Sequence, residues 1–107
     1  MSSVFKALSD PTRRRVLQLL RAGPMTAGEL ADQFDVSKPT MSAHFAVLKE
    51  ADLIHAEKAG KSITYYLKLS VLEEALMGFA HTLGLGEEPT GDRPALSPAI
   101  RKKAKPV

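Results

Sequence analysis

The chain has no cysteine, so disulfides, thiolate metal sites and thiol nucleophiles are excluded together. Tryptophan is also absent, and aromatic residues make up only 6% of the 107 positions. No run of 18 or more apolar residues occurs, and the opening MSSVFKALSDPTRRR lacks the basic, apolar, small-residue order of a secretory signal. A cytoplasmic protein with no membrane partner is expected. Catalytic signatures are missing too: there is no GxSxG, no phosphate-binding glycine loop and no HExxH, and His44, His55 and His81 lie in three separate segments. An enzyme is not expected, and no cofactor is implied.

What is present describes one globular domain. Hydrophobic residues at 44% and charged residues at 25% are ordinary for a folded chain whose stability comes from packing. A length of 107 residues suffices for one core and is too short for two. The net charge of +3 is unevenly placed. Residues 1–84 carry ten Lys/Arg against nine Asp/Glu, whereas 85–107 carry five (Arg93, Arg101, Lys102, Lys103, Lys105) against three. Global charge therefore says little about a nucleic-acid partner; clustering on one face decides.

Local signals divide the chain into elements. Ser2 or Ser3 caps a short first helix with Val4, Phe5 and Leu8 on one side. Asp10 is a candidate N-cap with Pro11 in the first helical position, and Gly23-Pro24 stops that second helix, which buries Val16, Leu17, Leu20 and the stem of Arg13. Thr26 and Glu29 form a capping box for TAGELADQF, expected to bury Leu30 and Phe34. Ser37 opens a fourth helix whose Met41, Phe45 and Leu48 recur at i, i+4, i+7, running to about Ala51. LIHAEK and KSITYYLKL around Ala59-Gly60 predict a hairpin, with one of Tyr65 and Tyr66 in the core. Ser70 is the expected cap of a last helix with Leu72, Leu76, Phe79 and Leu83 as an apolar seam, ended by Gly84 or Gly86. The remainder, 85–107, is proline-rich and basic and reads as mostly disordered. It is either a basic arm adding phosphate contacts or a solubilising terminus.

The expected fold is mainly α with a small β-hairpin, in the order α-α-α-α-β-β-α: a winged helix-turn-helix over residues 1–84, followed by the tail at 85–107. The first and last helices carry more apolar surface than so small a core can hide. They predict a homodimer through Val4, Phe5, Leu8, Leu72, Leu76, Phe79 and Leu83.

Residues 26–54, TAGELADQFDVSKPTMSAHFAVLKEADLI, carry the functional reading. A helix that enters a major groove needs short polar side chains at its N-terminal end and an apolar back locked to the core. SKPTMSAHF meets both requirements, with Lys38, Thr40 and Ser42 placed for base edges or phosphates; taken alone, the segment equally fits a solvated helix N-terminus with a Ser cap and a Pro at N1 or N2. Lys58 and Lys61 flank the Gly60 turn, where a β-ribbon lays cations on phosphates or in the minor groove. Arg13, Arg14 and Arg15 point about 100° apart on a helix and form no single basic face.

ALSDPTRRRVLQLL, VSKPTMSAHFAVLKEADLI and GKSITYYL together strongly resemble the ArsR family of winged helix-turn-helix repressors, from about residue 4 to 84, and most of all its metal-independent autorepressors. The resemblance implies a homodimer on a palindromic operator in double-stranded DNA, with DNA contacts at Lys38, Pro39, Thr40, Ser42, Ala43 and His44. Ala43 stands where the family commonly has Arg or His, which leaves a methyl contact with thymine in place of a long donor. For His44 a hydrogen bond between the two motif helices is the competing role. The resemblance also makes the second helix scaffold, with Arg13 paired to an acid such as Asp10 and a phosphate contact open to Arg14.

Metal ligands of the family's sensors fall here on Leu30–Gln33, which offers only Asp32, and on Leu69, Val71, Thr82 and Leu85, with His81 one place off. No metal is expected. An anti-repressor protein is a possible partner, and a winged-helix protein-interaction module is the alternative function.

Overall fold

Caps and stops set the elements of the chain, and the computed structural model describes residues 2–86. Five helices and three short strands follow in the order α1 (Ser2–Leu8), α2 (Pro11–Ala22), β1 (Met25–Thr26), α3 (Ala27–Ala31), α4 (Lys38–Glu50), β2 (Ile54–Ala59), β3 (Ser62–Leu67) and α5 (Leu69–Thr82). The architecture is therefore mostly helical with a small antiparallel sheet, as the sequence predicts. Residues 87–107, with nearly all of the expected tail, lie outside the described residues.

The local signals operate through hydrogen bonds. The carboxylate of Asp10 accepts the N–H of Arg13 at 3.1 Å, with Pro11 in the first turn of α2. Thr26 and Glu29 complete the capping box, at 3.1 Å from the Glu29 N–H to Thr26 Oγ1 and 2.9 Å from the Thr26 N–H to Glu29 Oε1. The α4 helix ends on Asp52, a non-glycine residue at φ 62°. There the N–H of Asp52 bonds Lys49 O and that of Leu53 bonds Leu48 O, the paired closure that a left-handed residue makes possible. Gly84, at φ 75°, ends α5 the same way, with Leu85 N–H on Ala80 O and Gly84 N–H on His81 O.

Three features differ from expectation. The α3 helix stops at Ala31 rather than reaching Phe34, which is half-buried in the turn that follows. Ser70 lies inside α5 and does not cap it; the Lys68 carbonyl receives the N–H groups of Val71 and Leu72 instead. Lys68 is pinned by its own N–H on Leu53 O (2.9 Å) and by Nζ on Asp52 Oδ1 (2.6 Å), so the helix starts directly where β3 ends. The hairpin also gains a third strand: β1 pairs β3 through Met25 with Tyr65 and Thr26 with Thr64, giving the order β1-β3-β2.

One core holds these elements together. Val4 and Ala7 from α1, Val16, Leu17 and Leu20 from α2, Leu30 from α3, and Met41, Phe45 and Leu48 from α4 are buried together with Leu53, Ile54 and Tyr65. Tyr65 packs its ring 4.7 Å from that of Phe45, which fastens the sheet to the back of α4; burial raises its phenol pKa above the usual 10.0. No residue of α5 is fully buried. That helix rests on the core only through half-buried Val71, Leu72 and Ala75.

Candidate nucleic-acid interface

Each residue advances a helix by about 100°, so Met41, Phe45 and Leu48 occupy one side of α4 and bind it to the core. Pro39, Ala43 and Ala46 occupy the other side, flanked by Thr40 on one edge and by Lys38, Ser42 and Lys49 on the other, all exposed. The surface at the N-terminal end is thus small, polar and free of carboxylates. Ala46 belongs to it as well; its spacing of three from Ala43 is the signal that would have found it. Glu50 closes the face at the C-terminal end, and its charge opposes phosphate there.

The N-terminus of α4 is pre-arranged. Ser37 Oγ accepts the Thr40 N–H at 3.3 Å while its hydroxyl donates to Thr40 Oγ1 at 2.9 Å. Thr40 keeps its own hydroxyl proton to offer outward, which suits a phosphate oxygen or a base acceptor. Ser42 and Lys38 border a groove of about 230 Å³ between α3 and α4, whose floor includes Met41 and Phe45.

His44 departs from the sequence expectation of an outward DNA contact. Its side chain is only 16% exposed, its Nδ1 lies 3.1 Å from Arg13 Nη1, and Asp10 Oδ2 is 3.9 Å away. A guanidinium only donates, so in the neutral ring this contact makes Nδ1 the acceptor and leaves the proton on Nε2. Only that far edge remains for DNA. Arg13 likewise does not pair its side chain with Asp10 as expected: Nε donates to Ala7 O at 2.8 Å and Nη2 to Lys6 O at 2.9 Å. One guanidinium thereby ties the end of α1 to the middle of α4. Asp10 feels this cluster. Partial desolvation acts to raise its pKa, but the Arg13 N–H, His44, the Thr12 N–H and the Arg13 charge outweigh it and hold the carboxyl below 3.8.

The wing places its cations at the tip. Ala59 pairs with Ser62 across a two-residue turn in which Gly60 takes φ 61°, as the first central position of a tight hairpin turn demands. Lys61 is the second turn residue and Lys58 stands opposite Ile63; both are exposed. Strand alternation puts Glu57 on the other face from Lys58, where it lies 3.3 Å from His55 Nε2.

The residues expected at a dimer interface separate into three groups. Val4 is 5% exposed and belongs to the subunit's own core, because α1 packs that side on α2 and α4. Phe5 is half-buried and lies against Phe79, ring centroids 4.7 Å apart. Leu8 and Leu72 are half-buried. Leu76 (43% exposed), Phe79 and Leu83 (56%) stand open on α5, joined by Met77 (71%), which the sequence reading left out. Of the positions matching sensor ligands, Leu69, Val71 and Leu85 are aliphatic, and the Thr82 hydroxyl donates to Gly78 O at 2.9 Å.

Residues 8–57 match a family model described as a helix-turn-helix domain. The chain is 42% identical over 87 residues to the transcriptional repressor SdpR of Bacillus subtilis, covering 81% of this chain and 97% of that one. It is 36% identical over 73 residues to an arsenical resistance operon repressor of Staphylococcus xylosus, with 68% and 70% covered. A crystal structure of an ArsR family transcriptional regulator superposes with TM-score 0.72 at 32% identity, over 78% of this chain and 91% of that chain.

Proposed function

Since the chain belongs to the ArsR family of helix-turn-helix repressors, a family of DNA-binding transcriptional regulators and not of enzymes, we propose that it represses transcription as a homodimer on a palindromic operator. In this reading residues 37–51 enter the major groove, with Lys38, Pro39, Thr40, Ser42 and Ala43 facing DNA and His44 reaching it through Nε2 alone. The wing, 55–66, sets Lys58 and Lys61 on the backbone or in the minor groove. The observation that carries the reading is the two-sidedness of α4: Met41, Phe45 and Leu48 are buried while the short polar side chains of its first turns are exposed. A helix held so rigidly presents its polar end without an entropic cost at each encounter.

Pairing is assigned to the open face of α5 and the adjoining Phe5 and Leu8; successive major grooves require the two recognition helices to lie roughly 34–36 Å apart. Metal-independent control is part of the proposal, on the aliphatic character of Leu69, Val71 and Leu85. So are a cytoplasmic site of action and control of its own operon. An anti-repressor protein would engage either the recognition face or the terminal helices.

Fluorescence anisotropy with a duplex from immediately upstream of the gene and a scrambled duplex, at 50 and 200 mM salt, tests the reading. Neutralising six or more phosphates costs roughly 10³-fold in affinity across that range. Tight, salt-sensitive binding with preference for the upstream duplex supports autorepression. Equal weak binding to both points to another promoter, or to a winged helix whose target is a protein.

A further inference from the structure

Arg14, Leu17, Gln18 and Arg21 lie at i, i+3, i+4 and i+7 on α2 and so share one face. That face borders a groove of about 410 Å³ between α2 and α5. Its apolar wall consists of six leucines, Leu8, Leu17, Leu67, Leu69, Leu72 and Leu76. No aromatic ring lines it, so the surface suits a flexible aliphatic chain. The rim is cationic on the α2 side. Arg14 gives one donor, Nη1, to Leu8 O at 2.8 Å and keeps the rest of its fork, while Arg21 has no hydrogen-bond or ion-pair partner among the described residues. Glu73 is the single carboxylate on the rim, contributed by α5.

We infer that this groove binds a free medium-chain aliphatic carboxylate, its chain along the leucines and its carboxylate at the arginine rim of α2, and that this molecule is an effector of DNA binding. A guanidinium fork matches a carboxylate in geometry as well as charge, and the volume of about 410 Å³ lies within the small-molecule range of roughly 300–1,000 Å³. The chain's own segment 85–107 carries five basic residues against three acidic and meets the two arginines with like charge. The effector role rests on the repressor reading: Leu8, Leu72 and Leu76 belong both to the groove and to the apolar surface assigned to pairing, so an occupant acts on the helix that orients the two DNA-binding halves.

Equilibrium dialysis of the full chain with decanoate, below its micelle concentration and without DNA, tests the site independently of the repressor reading. The expected result is saturation at one decanoate per chain, at least tenfold weaker binding in the Arg14→Gln/Arg21→Gln double variant, and no saturable binding of decyltrimethylammonium. Both arginines are exposed, so the double variant keeps its fold, which circular dichroism checks. Absence of saturable binding, equal binding of the cation, or indifference to the double substitution overturns the site. Decanoate should also shift the DNA titration of the wild type and not of the double variant; binding that leaves the wild-type titration unmoved overturns the effector role. Failure to bind DNA without decanoate counts against the repressor reading alone.

Discussion

Arg13 Nη1 and His44 Nδ1 lie 3.1 Å apart, joining the helix that follows α1 to the helix assigned to DNA. Because the same guanidinium also holds the carbonyls of Lys6 and Ala7, its loss leaves two part-buried acceptors, Ala7 O and His44 Nδ1, short of a donor, at about 1–3 kcal/mol each where burial excludes water, while the exposed Lys6 carbonyl turns to water. Arg13→Ala should therefore lower stability by about 2 kcal/mol, read as a lower urea midpoint at unchanged slope. His44→Ala should cost about 1 kcal/mol and weaken specific and scrambled DNA alike. A His44 variant of unchanged stability with a selective loss on the specific duplex would make the imidazole a base contact instead.

Asp10 gives the fold an acid-sensitive element. Its carboxyl pKa is held below 3.8 in the folded chain, so its contribution is fully present above that value and is lost as pH falls through the lower folded value. Asn is also a good N-cap but does not titrate. The stability difference between the wild type and Asp10→Asn should stay level from pH 7 to 5 and shrink below pH 4. A difference that persists unchanged to pH 3 contradicts the assignment.

Leu76 and Phe79 stand exposed on a helix with no fully buried residue. Leu76→Asp puts a charge where a partner copy would exclude water. Sedimentation should show the variant as a monomer with its circular dichroism spectrum intact. A persisting dimer would move the pairing surface off α5.

Lys61 occupies the wing turn with its side chain exposed. Lys61→Ala should weaken binding to specific and scrambled duplexes equally and reduce the slope of log K against log salt by about one. An unchanged slope removes the wing tip from the contact surface.

The elements legible in the sequence were those whose causes are local. Asp10, Thr26 with Glu29, and Ser37 each announce a helix start because their partner N–H groups lie three residues away, and Gly60 announces its turn for the same reason. The i, i+4, i+7 run of Met41, Phe45 and Leu48 identified the buried side of α4, and hence its exposed one. What escaped depended on distant partners. A strand of two residues, Met25 and Thr26, has no periodicity of its own and exists only because β3 returns beside it. Lys68 displaced Ser70 as the start of α5 through bonds to Leu53 and Asp52. Arg13 has an acid three residues before it in the chain, yet the fold brings the α1 carbonyls and His44 closer to its guanidinium. Val4 reads as one of an apolar trio with Phe5 and Leu8, and only the packing of α1 on α2 and α4 sends it inward.

Methylation interference reports which groove α4 reads, because guanine N7 lies in the major groove. Modified operator duplexes bound by the protein are separated from unbound ones, and the interfering guanines are mapped. Two symmetric clusters are expected, one per half-site and about one helical turn apart, with Thr40→Ala/Ser42→Ala losing preference for the operator over the scrambled duplex. A single cluster, or interference confined to minor-groove adenine N3, would contradict a pair of α4 helices reading successive major grooves.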